Sequence, residues 1–115
     1  MLISFAEALA GGPVGAFTCY DLEEAEGVLA AAERAERPVV LLVGSAQFGG
    51  ANGRRFAAAL SAYAGRHPAR ACLQLDHVRD LDEIAAAFDL GFGAAMADGS
   101  HLALDENIAF VAAAV

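Results

Sequence analysis

An aspartate and a histidine stand side by side at positions 76 and 77, at the end of the apolar run Ala71-Cys72-Leu73-Gln74-Leu75. Imidazole ligates divalent metal ions and a carboxylate can take up or return a proton, so such a pair can serve either chemistry if both groups reach one pocket. The run is too short for a helix and alternates small and large apolar side chains, and Asp80-Leu81-Asp82-Glu83 behind it reads as a helix start. This predicts a buried strand, a short loop and a helix, the unit of a parallel α/β sheet. Ligands of such sheets sit outside the carboxyl ends of the strands, which is where Asp76 and His77 fall. A second polar cluster, Asp98-Gly99-Ser100-His101, also closes an apolar stretch, and the glycine-rich segment GSAQFGGANG at 44–53 follows another. That segment is the loop best suited to touch a substrate, an ordinary mobile connection being the alternative.

The elements that must position these groups follow from periodicity. Residues 4–10 predict a short helix closed by Gly11-Gly12-Pro13, and 14–19 a first strand. Asp21 with Glu24 three residues on makes a capping-box-like start, after which Leu22, Ala25, Leu29 and Ala32 share one helix face, while Glu23, Glu26, Glu33 and Arg34 take the other. The helix ends before Pro38, and residues 39–43 form a wholly apolar strand of the kind covered on both faces. Phe56, Leu60 and Tyr63 mark a second outer helix ending around Gly65, with His67 near its end as a surface residue and not a ligand. Leu81, Ile84, Ala85 and Phe88 form the buried face of a third helix, residues 91–97 a fourth strand, and Leu104, Ile108 and Val111 recur on a fourth helix. Four β/α units thus succeed one another in a single domain, 1–115, without a linker. By pattern alone they fit half of a barrel or a small doubly wound sheet.

Composition narrows the function classes. Fifteen acids against seven bases give a formal charge of −8 with no basic cluster, which argues against nucleic acid as a partner. No apolar run reaches the length of a membrane span, and the first residues lack the positive start of a signal peptide, so a cytoplasmic protein without a membrane partner is expected. Cys19 and Cys72 lie far apart in apolar runs without metal-knuckle spacing and predict buried free thiols.

Several stretches, in order, resemble the class II, zinc-dependent ketose-bisphosphate aldolases, the family of fructose-bisphosphate and tagatose-bisphosphate aldolases. They are Val14-Gly15-Ala16-Phe17, Pro38-Val39-Val40-Leu41, Leu75-Asp76-His77, Asp80-Leu81-Asp82-Glu83-Ile84, Met96-Ala97-Asp98-Gly99-Ser100-His101-Leu102 and Glu106-Asn107-Ile108. The resemblance covers nearly the whole chain and implies the first four units of a TIM, or (β/α)8, barrel. Such a barrel takes about 250 residues, so 115 cannot close one alone.

The resemblance also implies the chemistry: reversible aldol cleavage of a phosphorylated ketose to triose-phosphate products, within carbohydrate metabolism and glycolysis. By correspondence His77 is one of three histidines that bind the catalytic zinc, Asp76 the acid/base for the C4 hydroxyl proton, Asp98 a ligand of a second metal position, and Ser45 a substrate contact. Ser100 and His101 flank Asp98 as structural supports. The family usually has histidine where Gln74 stands, a small residue in place of Val78, and asparagines where the first strand ends in Thr18 and Asp21. The other zinc histidines and the phosphate loops belong to the family's second half. The chain alone is therefore expected to be inactive: a fragment, a truncated product, or a subunit needing a complementary half. The rival expectation is a non-catalytic half-barrel that self-associates through its open edges as a homo-oligomer. A small phosphate-binding module using the 44–53 loop is a third.

Overall fold

The predicted β/α units join a single parallel sheet. The computed structural model describes residues 1–115 in full. It contains α1 (Phe5–Leu9), β1 (Gly15–Thr18), α2 (Leu22–Ala35), β2 (Val39–Gly44), α3 (Ser45–Phe48), α4 (Gly53–Arg66), β3 (Ala71–Val78), α5 (Leu81–Asp89), β4 (Ala94–Ala97) and α6 (Leu104–Ala114). Side-chain caps set three helix starts by taking amide protons that have no intrahelical acceptor. Ser4 and Glu7 exchange hydrogen bonds at α1, Asp21 accepts from the Glu24 amide at 2.8 Å, and Asp80 accepts from the Asp82 amide at 2.7 Å.

The strands pair in parallel in the order β1-β2-β3-β4. A doubly wound sheet reverses its strand order at a switch point, whereas this one runs in sequence order throughout. The chain therefore has the architecture of four consecutive units of a (β/α)8 barrel, half of a TIM barrel with a short helix in front.

The two faces of the sheet bury different things. Leu41, Val43, Leu73 and Leu75 are fully buried in the large core that includes Leu29 of α2, Leu60 of α4 and Ile84 of α5. The other face carries Val40 and Cys72, which pack with Ala8 of α1. The first residues bind alongside, the Ile3 amide donating to the Ala71 carbonyl at 2.9 Å. With side chains alternating along β3, Gln74 and Asp76 continue the Cys72 face toward the carboxyl end.

Several sequence expectations need correction. The 44–53 segment is not simply an open loop: it contains α3, whose Phe48 is fully buried and meets Phe92 edge-on, ring centroids 6.1 Å apart. Gly53 begins α4, and a Cβ there would overlap the Gln47 carbonyl, so α3 and α4 approach as closely as backbone allows. On α5 the buried positions are Ile84 and Ala87, while Leu81, Ala85 and Phe88 are exposed. No α6 residue is buried, Leu104, Ile108 and Val111 included. Tyr63 points outward, its hydroxyl donating to Glu26 at 2.8 Å. His67 is not a surface residue. Its side chain is mostly covered, with Nε2 3.5 Å from Glu26 and 3.9 Å from Glu33 of α2. It ties α4 to α2 at the amino end of the sheet. Cys19 and Cys72 are buried free thiols, as expected.

Candidate functional site

Asp76 and His77 occupy an irregularity in the sheet. Leu75 pairs with Ala95 and Val78 with Ala97, so two residues of β3, Asp76 and His77, oppose the single Met96 of β4. One extra residue in a strand is a β-bulge, which re-aims side chains that would otherwise alternate strictly. His77 accommodates it at φ +53°, a left-handed conformation that costs a non-glycine residue about 1 to 2 kcal/mol. Freed from strict opposition to Asp76, the imidazole reaches the end of β4 and stands with Nδ1 3.2 Å from Oδ2 of Asp98. No helix of the chain is long and apolar enough to cross a membrane.

Asp98 is the one charged residue buried in the fold, at 7 % exposure. Its amide donates to the Val78 carbonyl at 2.8 Å, fixing it beside the bulge. Oδ1 accepts from the Ser100 hydroxyl at 2.5 Å and amide at 3.0 Å, while Oδ2 lies 3.4 Å from Nη2 of Arg79. The Ser100 hydroxyl and amide, then His77, hold the Asp98 carboxyl well below the usual carboxylate range; burial opposes this and Arg79 assists. The group is a fixed anion.

Asp76 is half-buried, and its Oδ1 accepts from the Gln74 amide nitrogen at 3.3 Å. Its register partner on β2 is Gly44, next to which a Cβ would meet open space. The flank of the carboxylate is therefore free. Ser45 follows Gly44 directly, but its hydroxyl donates to Oε2 of Glu83 at 2.8 Å. The structure thus gathers His77, Asp98 and Ser100, puts Asp76 next to them on the bulge, and leaves Ser45 turned to α5. His101 is exposed.

Two participants escaped the sequence reading. Glu83 reads as a helix-cap residue, yet its carboxylate reaches Ser45. Arg79 carried no motif, though it is the sole lysine or arginine after Arg70, set among Asp76, Asp80, Asp82 and Glu83. A lone cation in an acidic stretch is the signal that could have flagged it.

The spacing of these motifs has a structural counterpart. Gly99 packs against Asn107 of α6 so closely that a Cβ would overlap the Asn107 side chain. Residues 4–115 match the family model described as fructose-bisphosphate aldolase class-II. The chain belongs to the class II fructose-bisphosphate aldolase family. This is a family of lyases of carbohydrate metabolism that generally depends on zinc.

Among curated relatives, the sulfofructosephosphate aldolase of Alkalicoccus urumqiensis is 34% identical over 97 residues, covering 84% of this chain and 34% of that protein. The fructose-bisphosphate aldolase of Giardia intestinalis is 31% identical over 96 residues, covering 83% of this chain and 30% of that one. The YdjI aldolase of Escherichia coli K12 superposes with a TM-score of 0.88 at 26% identity, over 100% of this chain and 46% of that one. The chain thus spans about a third of the length of these two curated aldolases.

Catalytic zinc takes three protein ligands. No group of three or more His, Cys, Asp or Glu side chains lies close enough to hold a metal ion. Residues 1–115 do not by themselves fit the ion.

Proposed function

We propose that residues 1–115 provide the acid/base and one metal-facing side of an aldolase centre that cleaves a phosphorylated ketose reversibly into triose-phosphate products. The observation that carries this reading is the bulge at the carboxyl end of β3, which places Asp76 beside open space and His77 at the rim, inside a family match that spans the chain. In this reading Asp76 removes the hydroxyl proton that must leave when a carbon–carbon bond breaks, and returns it in condensation. His77 presents its imidazole to the zinc of the complete enzyme, Asp98 belongs to the same centre behind it, and Ser45 contacts substrate after exchanging Glu83 for it. The setting is the cytoplasm, in glycolytic carbohydrate metabolism.

On its own the chain binds zinc weakly and does not turn over substrate. In support, it lacks a three-donor group. The test is a coupled retro-aldol assay on fructose 1,6-bisphosphate with added zinc, run with the pure chain and with the chain mixed with the remaining β/α units of a class II aldolase. No turnover in the first and chelator-sensitive turnover in the second is expected. Turnover by the pure chain, abolished by chelator and by Asp76→Asn, would overturn the claim of inactivity.

A second reading, a non-catalytic assembly module, has its own observation. β1 and β4 each have one unpaired edge. Beside β1, an apolar cavity of about 680 Å³ is lined by Phe17, Val28, Ala31 and Ala35. A monomeric mass by light scattering would remove this reading.

A further inference from the structure

The two nitrogens of His77 face different surroundings. Nδ1 looks at Oδ2 of Asp98, 3.2 Å away, while the side chain is 61% exposed. A carboxylate offers about four lone-pair positions. At Asp98 two are taken by Ser100 on Oδ1, and the remaining two, on Oδ2, face His77 and Arg79.

We propose that Asp98 is a positioning residue for His77, its ionised carboxylate accepting Nδ1–H and so leaving the Nε2 lone pair turned to the open rim, and that it is not itself a metal ligand. An acceptor-only carboxylate can make a hydrogen bond with Nδ1 only if the proton is on that nitrogen. With both oxygens already engaged, a cation on Asp98 would have to displace Ser100, His77 or Arg79. The guanidinium supplies the positive charge that a buried carboxylate needs, without a metal ion. A carboxylate behind a histidine fixes both tautomer and ring orientation, and so decides which nitrogen meets a ligand in front. A separate main-chain bond, from the Asp98 amide to the Val78 carbonyl, fixes Asp98 next to the left-handed His77.

This inference rests on His77 being the group that meets metal or substrate, but its test reads neither metal nor turnover. The chain is labelled with ¹⁵N-histidine, and long-range ¹H–¹⁵N correlations are recorded in EDTA at about pH 8.5, above the ordinary imidazole range. His77→Gln identifies the signals of residue 77 among those of His67 and His101. The expected result is a protonated-type Nδ1 and an unprotonated-type Nε2 for His77, opposite to the preference of free histidine in water. Asp98→Asn shifts the ring toward the Nε2–H form. An Nε2–H ring in the unmodified chain, or a tautomer unchanged in a folded Asp98→Asn variant, overturns the proposal. Should that variant fail to fold, the unmodified chain alone decides. A failure here leaves the aldolase reading standing, and a failure of the aldolase assays leaves the tautomer as measured.

Discussion

The hydroxyl of Ser45 donates to Oε2 of Glu83 across 2.8 Å, joining the first residue of α3 to the first turn of α5 over the ends of β2 and β3. The contact occupies the hydroxyl of the residue that follows Gly44, the register partner of Asp76. A charge-assisted hydrogen bond of this kind, half-buried, is worth about 1 kcal/mol net. A double-mutant cycle of Ser45→Ala and Glu83→Gln, read by urea unfolding, should show coupling of about that size. Strictly additive effects would mean that the two side chains do not hold each other in solution.

The core and the outer face of α6 make opposite demands. Leu60 is fully buried in the main cluster, and Leu60→Ala should cost about 3 kcal/mol as lost burial and a cavity. Ile108 is exposed, and Ile108→Ala should change stability by no more than about 0.5 kcal/mol. Midpoints of urea unfolding check both. A loss above about 1 kcal/mol at Ile108 would show that this face is covered in solution.

Burial pushes the Cys19 and Cys72 thiols up to about 11. An acid whose folded-state pKa is raised binds its proton more tightly when folded. Its contribution is therefore full below the ordinary thiol range and is lost as pH rises from there through about 11. Stability should fall between about pH 8.5 and 11, and the fall should shrink in Cys19→Ala and Cys72→Ala. Unfolding midpoints across that range check the sign. A midpoint that rises with pH would contradict it, as would rapid labelling of either thiol by Ellman's reagent in the folded chain.

Local chemistry carried most of what could be read in advance. Asp21 and Asp80 are caps because their side chains bond amides two or three residues away, which spacing alone reveals, while the equivalent role of Ser4 went unread. The strand order became legible only with the family resemblance, because β/α units of either sheet type share one pattern. The bulge at His77 stayed hidden, since it depends on how β3 meets β4 and not on any residue that announces a turn. Leu81 and Phe88 misled for a related reason: an apolar stripe marks a face that can be buried, while the neighbour that would bury it is a matter of tertiary structure. Asp76, His77 and Asp98 stand out by motif, but the hydrogen bonding of Asp98 to Ser100 and Arg79 needed coordinates.

The most direct measurement joins residues 1–115 to the remaining β/α units of the YdjI aldolase, whose fold they match with a TM-score of 0.88. The retro-aldol kcat of this chimera is then compared with that of its Asp76→Asn variant. Loss of a positioned acid/base should lower kcat by about 10² to 10⁴-fold, with the circular dichroism spectrum unchanged. An active chimera whose Asp76→Asn variant turns over at the unaltered rate would contradict the role assigned to this carboxylate.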